Sequence, residues 1–246
     1  MDLEGIEISN VTKRYLDTRG DAFTALNEVS LSWRPKENLA VIGESGSGKS
    51  TLARLIAGLE KPTEGIIKIE GKDIAQWDFR RWRRERKHIQ AVFQDASGTM
   101  NPAYSVYRNI EEALLNLTEL SRSQRKKRIY ELLDMVNISP ELLKTPVRQL
   151  SGGEQRRLSL IRALSIHPEY LILDEVTSGL DLLSSDAVLS VLEKYHKESG
   201  CAYLMITHDK QNAYRISDRI LEMQKGKIVR MGERTEIKAK AEKKCS

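Results

Sequence analysis

Apolar and polar residues alternate along two stretches near the start of the chain, IEISNVTKRY and FTALNEVSLSW. A period of two predicts half-buried strands. LAVIG (Leu39 to Gly43) is an unbroken apolar run, as in a buried strand. A glycine-rich turn follows it, and then TLARLIAGL, whose apolar positions recur at helical spacing. IIKIEG, closed by Gly71, and IQAVF (Ile89 to Phe93) predict two more strands. From about Val106 to Ser165 the period becomes helical, as in IYELLDMV, and Pro102, Pro140 and Pro146 punctuate the segment. Short apolar runs then return in YLILDE, CAYLMITH and RILEM. Strands alternating with helices predict a mostly parallel sheet covered by helices, here interrupted by a helical lobe. Beyond Gly232 the chain is charged, which predicts a frayed terminal helix. No repeat of ~20–50 residues and no low-complexity linker interrupts this order.

Composition narrows the class. At 246 residues the chain holds one large α/β domain, or one with a smaller lobe attached. A 40% hydrophobic fraction and a mean hydropathy of −0.46 describe a globular protein. No apolar run approaches the ~18 residues that span a bilayer. The start, MDLEGIEISN, has no apolar h-region and is not read as a secretory signal. The expectation is an intracellular protein, unless a partner holds it at a membrane. Cys201 and Cys245 match no disulfide scaffold or paired metal motif. The net charge of +5 is clustered in WDFRRWRRERK (Trp77 to Lys87) and RSQRKKR (Arg122 to Arg128). Such runs can bind nucleic acid or anionic lipid. Both are short, and Asp78 and Glu85 interrupt the first, so a solvated helix face is the preferred reading.

GESGSGKS, the run of Gly43, Glu44, Ser45, Gly46, Ser47, Gly48, Lys49 and Ser50, fits G-x-x-x-x-G-K-[ST] between a predicted strand and a predicted helix. Glycines permit a tight loop whose backbone N–H groups converge on phosphate oxygens, and the helix N-terminus adds its positive end. Lys49 supplies a point charge to the β- and γ-phosphates, and the Ser50 hydroxyl can bind Mg²⁺. In YLILDE two carboxylates emerge where a buried strand ends, the place where parallel sheets present ligand groups. Asp174 is placed to hold Mg²⁺, and Glu175 to polarise a water as general base. His208 and Gln94 end two further apolar strands, and both are candidates to reach the same site.

LSGGEQRR (Leu150 to Arg157) precedes YLILDE by about twenty residues. P-loop, LSGGEQ and strand-DE in this order resemble the ATP-binding-cassette (ABC) ATPase family over nearly the whole chain. The resemblance implies a P-loop NTPase (RecA-like) α/β core with an antiparallel β subdomain and an inserted α-helical subdomain. Residues 1–93 and 166–232 would form the core with its β subdomain, 94–165 the Q-loop and helical lobe, and 233–246 a charged tail. It makes Gly43 to Thr51 the phosphate loop, Gln94 the Q-loop glutamine, and Ser151, Gly152 and Gly153 the signature. Asp174 and Glu175 become the metal-binding and catalytic carboxylates, SGLD (Ser178 to Asp181) the D-loop, His208 the switch histidine, and Tyr15 the ring that stacks on adenine. Ser151 and its glycines form a turn before a helix, RRLSLIRALS, that offers a second anion site. The family's solution is a head-to-tail dimer, with ATP sandwiched between one chain's P-loop and the other's signature. Two positions depart from the family: Val176 stands where proline is usual, and the Q-loop reads QDASGTMNP.

IQAVFQDASGTMNP, the arginine-rich stretch before it and GESGSGKSTLARLIAGLEKPTEG are similar to the oligopeptide, dipeptide and nickel importer branch. That similarity implies an ATPase at the cytoplasmic face of the membrane, using ATP and Mg²⁺. Its partners would be two transmembrane permease subunits, a second paralogous ATPase and, indirectly, an extracellular solute-binding protein. With only Cys245 in the tail, no iron–sulfur cluster is expected, and no nucleic-acid partner. Three other readings carry less: a soluble accessory ATPase of a multi-enzyme complex such as carbon–phosphorus lyase, a nucleic-acid or ribosome-acting ABC protein, and a P-loop kinase or GTPase, for which the N-K-x-D motif is missing.

Overall fold

The computed structural model describes residues 5–16, 20–94, 100–136 and 138–245, with side chains as far as residue 239. In chain order, β1 (Ile6–Leu16) and β2 (Ala22–Trp33) form an antiparallel hairpin. Then β3 (Leu39–Ile42) runs into the phosphate loop and α1 (Lys49–Ile56). The chain returns to β1 through β4 (Glu64–Ile69) and β5 (Lys72–Asp73), completing a four-stranded antiparallel sheet ordered β2-β1-β4-β5. Next come α2 (Phe79–Glu85) and β6 (Ile89–Val92). The lobe contains α3 (Val106–Leu117), α4 (Arg122–Met135), two 3₁₀ turns and α5 (Gly152–Leu164). The chain ends with β7 (Tyr170–Asp174), α6 (Leu182–Ser199), β8 (Ala202–Ile206), α7 (Lys210–Ile216), β9 (Arg219–Gln224), β10 (Lys227–Glu233) and α8 (Arg234–Cys245). A second sheet is ordered β10-β9-β3-β8-β7-β6 and is parallel except for β10.

Every residue of β3, β7 and β8 is buried, which explains why these strands read as apolar runs without alternation. The pleat still sorts their side chains. Along β7, Leu171 and Leu173 join the core shared with the helical lobe, while Tyr170 and Ile172 join the core shared with α1 and the antiparallel sheet. Trp33 couples the two sheets. It is fully buried, its indole N–H donates to the Glu37 carbonyl at 2.9 Å, and its ring meets Tyr170 edge-on at 5.0 Å.

This topology brings the carboxyl ends of β3, β8, β7 and β6 to one edge, and Gly43, His208, Glu175 and Gln94 follow those ends closely. The start of α5 departs from the sequence reading. Gly152 and Gly153 lie inside its first turn and not in a turn before it. The cause is a capping box: Ser151 Oγ accepts from the Glu154 N–H, and the Glu154 carboxylate accepts from the Ser151 N–H at 2.8 Å. Among the described residues no helix is long and apolar enough to cross a membrane.

Candidate functional site

The loop after β3 turns sharply enough to need glycine. Gly48 has φ 101°, and a Cβ there would stand 2.5 Å from the Ala25 carbonyl oxygen. Lys49 opens α1, and its ammonium donates back to the carbonyls of Gly43 at 2.9 Å and Glu44 at 2.7 Å, with Ser47 Oγ at 3.4 Å. Burial draws the Lys49 pKa down, while the carboxylates of Glu175 and Asp174 oppose the shift. A cation is therefore held between the loop and the end of β7.

Asp174 is 4% exposed. Burial pushes its pKa up, with a smaller upward push from Glu175, against the lowering effects of the Ser50 hydroxyl and Lys49. Its Oδ1 is buried with no hydrogen-bond partner. An unpaired carboxylate oxygen in the interior is costly unless something cationic meets it. Glu175 takes a left-handed backbone, φ 54°, secured by its N–H donating to the Ile206 carbonyl at 3.0 Å. His208 Nδ1 lies 2.9 Å from Glu175 Oε2 and 3.1 Å from Oε1. One carboxylate is thus aligned by one imidazole across the ends of two neighbouring strands. Val176, where the resemblance leads one to expect proline, is buried in the lobe-side core.

These groups open onto a cleft of about 480 Å³ lined by Ser45, Gly46, Gly48, Lys49, Ser50 and Thr51 of the loop, together with Gln94, Glu175, Ser178 and His208. Its far end is aromatic. Tyr15 and Phe23 are register partners on β1 and β2, and their rings stack at 5.4 Å with 25° between planes. The Tyr15 hydroxyl is committed to Glu60, which Arg54 and Lys13 hold in turn. Burial and this carboxylate both raise the Tyr15 pKa. Sequence reasoning missed Phe23. Its only sequence signal is an aromatic placed just before the strand residues that border the loop.

Ser151, Gly152 and Gly153 do not line this cleft. A link to it runs through Arg156, also missed in the sequence, whose guanidinium donates to the carbonyl of Ser178. The signature helix and the loop after Glu175 are therefore tied together. Of the Q-loop stretch, Gln94 is exposed at the cleft, and residues 95–99 lie outside the described residues, as does the Cys245 side chain.

Comparison with known proteins identifies relatives of the chain. The family model described as ABC transporter matches residues 26–178. The chain is 40% identical over 206 residues to the nickel import ATP-binding protein NikE of Brucella suis biovar 1 (strain 1330), covering 84% of this chain and 77% of that one. It is also 40% identical over 204 residues to NikE of Escherichia coli (strain K12), covering 83% and 76%. The dimeric post-hydrolysis structure of the ATP-binding cassette MJ0796 bound to ADP and Pi superposes with a TM-score of 0.85 at 30% identity, covering 93% of this chain and 98% of that chain. CbiO1 of Clostridium perfringens, part of the transporter complex CbiONQ, superposes with a TM-score of 0.82 at 28% identity, covering 98% and 93%.

Proposed function

The chain belongs to the ABC transporter family and is an ATP-hydrolysing cassette, and from that premise we propose that it energises a membrane importer of nickel, metal chelates or peptides. The observation that carries the reading is 40% identity to nickel import ATP-binding proteins over most of the chain, supported by a cleft that gathers Lys49, Ser50, Gln94, Glu175 and His208. Lys49, Ser50 and the loop N–H groups from Gly43 to Thr51 bind the phosphates. Asp174, Ser50 and Gln94 would hold Mg²⁺, a role that the unpartnered Asp174 Oδ1 suits. Among the described residues no group of three or more His, Cys, Asp or Glu could cage a metal. Bound there, the ion would neutralise charge on the β- and γ-phosphates. Glu175 takes the proton of the attacking water, and His208 aligns Glu175 and meets the γ-phosphate.

Tyr15 and Phe23 form the platform for the adenine. Stacking on an aromatic is worth about 1–3 kcal/mol per base. Tyr15→Ala and Phe23→Ala are each expected to raise the KM for ATP about fivefold or more while kcat changes little. Equal losses in kcat and kcat/KM, measured by phosphate release, would remove these rings from the binding site.

The division into a core (1–93 and 166–232), a lobe (94–165) and a tail (233–246) is supported by the two side-chain clusters that meet across β7. Between core and lobe lies a groove of about 230 Å³, with Leu59, Arg86, Gln90 and Phe93 on one side and Arg162 and Ala163 on the other. It suits docking of a spanning subunit, because closure of lobe on core would move whatever it grips. The assembly is then two permease subunits, this chain, a paralogous ATPase and an external solute-binding protein, with this chain at the cytoplasmic membrane face.

Isolation of the tagged chain from gently solubilised native membranes tests the proposal. Two spanning subunits and a second ATPase are the expected companions. A soluble complex lacking spanning subunits would move the chain to an accessory role, as beside carbon–phosphorus lyase enzymes.

A further inference from the structure

The arginine-rich run from Trp77 to Lys87 has no part in the nucleotide cleft. It forms α2, and α2 is fastened on one side only. Trp82 packs edge-on against Trp77, with centroids 4.9 Å apart. The Trp82 ring also lies against Gly58, just past the end of α1, where even a Cβ would collide with it. Arg81 is engaged: it pairs with Glu85 at 3.1 Å and lies 5.2 Å from the Trp77 centroid. Asp78 is spent as the helix cap, accepting from the Arg81 N–H at 2.7 Å. No residue of α2 is buried.

The outward face is different. Phe79 is 79% exposed, more than any other aromatic residue among the exposed hydrophobic side chains. Phe79, Arg80, Arg83 and Arg84 line one open concavity with Asp78. Among the described residues, the guanidiniums of Arg80, Arg83 and Arg84 make no hydrogen bond or ion pair. Arg86 and Lys87 are exposed beyond them. Three free guanidinium forks match phosphate oxygens bidentately. A lone exposed aromatic among basic residues suits the headgroup layer of an anionic bilayer.

We propose that α2 is a lipid contact, with Arg80, Arg83 and Arg84 gripping anionic phospholipid headgroups and Phe79 entering the headgroup layer. The proposal rests on the reading of the chain as a membrane-apposed subunit, and adds a contact that needs no protein partner. Nucleic acid would supply the same phosphates, but it would leave Phe79 as a single ring with no second exposed aromatic beside it to continue a stack. Charge complementarity and the apolar tip together favour the bilayer.

Flotation of the purified full-length chain with vesicles tests this directly. Binding is expected to phosphatidylcholine vesicles containing about a third phosphatidylglycerol, not to phosphatidylcholine alone, and to fade as salt rises. Each basic residue near such a surface contributes about fivefold in affinity. R80E/R83E/R84E is therefore expected to lose at least tenfold while hydrolysing ATP at the parental rate, and F79A to lose several-fold at high salt. Equal flotation of the triple variant and the parent would overturn the proposal. So would parental binding to a single-stranded RNA homopolymer in place of vesicles. Because no partner is present, failure here leaves the importer reading intact, and failure to recover spanning subunits leaves vesicle binding intact.

Discussion

Glu175→Gln is expected to bind ATP as the parent chain does and to lose turnover by about 10²–10⁴-fold, the usual contribution of a positioned general base. The argument separates binding from chemistry. On the proposed reading phosphate affinity comes from the loop N–H groups, from Lys49 and from the α1 N-terminus, none of which the substitution touches. Glutamine keeps the shape of glutamate, so the partly buried side chain remains in place and can still meet His208, now 2.9 Å from Oε2. What disappears is the basic oxygen that would accept a proton from water. The loss amounts to about 3–5 kcal/mol in the barrier. Since ATP is bound but not consumed, the variant should accumulate as an ATP-held dimer. Steady-state phosphate release, nucleotide binding and size-exclusion with and without ATP read the three consequences. Parental hydrolysis by the variant would remove Glu175 from the chemistry.

How early this site could be seen differs from residue to residue. Lys49, Ser50 and Asp174 are legible because each lies where one strand meets one loop, and local sequence sets that meeting. The pairing of Glu175 with His208 is not local. It needs β7 and β8 to be neighbours in register, Asp174 beside Ile206, so that the residues just beyond both strands converge. Apolar runs announce two strands without saying which pair they make. The Tyr15–Phe23 platform was half visible for a related reason. The pairing is regular from Leu16 and Ala22 to Arg14 and Thr24, but the sequence does not say where the hairpin turns, so no count of residues alone places Phe23 opposite Tyr15. Arg156 carried no signal at all, because its carbonyl partner on Ser178 belongs to another element.

The α5 start shows a capping signal that the glycines mask, so the sequence points to a helix one turn later than the structure has it. Ser151 and Glu154 stand at capping-box spacing, yet the two glycines between them suggested a turn, glycine being a poor helix former. The arginine run shows the reverse. Its sequence reads as a solvated helix face, and α2 is solvated, but only the packing of Trp82 and Trp77 reveals which arginines are left unengaged.

Gly153→Asp is expected to fold and to bind nucleotide in its own cleft like the parent, yet to lose hydrolysis. Within the chain, glycine has no evident use there. A Cβ at Gly153 would meet nothing nearer than Arg157 Nη1 at 4.0 Å, and one at Gly152 would meet nothing within 4 Å. Neither residue has a positive φ. A carboxylate in the first turn of α5 should even favour the helix, by about 0.3–1 kcal/mol. The space over this turn is therefore left for something outside the chain, and the head-to-tail reading makes that the γ-phosphate bound by the partner. Aspartate would meet it with like charge and added bulk. Thermal denaturation at or above the parental midpoint, together with lost ATP-dependent association, is the expected pair of results. Mixing sharpens the test. In a dimer of a Glu175→Gln chain with a Gly153→Asp chain, one site combines both defects. The other joins an intact Glu175 to an intact signature. If copies of the chain pair with each other, two inactive preparations should regain activity on mixing. If the chain pairs only with a paralogue, mixing restores nothing, and the Gly153→Asp defect appears in the paralogue's site instead. Among copies that pair with each other, parental hydrolysis by the Gly153→Asp chain would detach the signature from the reaction; beside a paralogue, parental hydrolysis in the paralogue's site would do so.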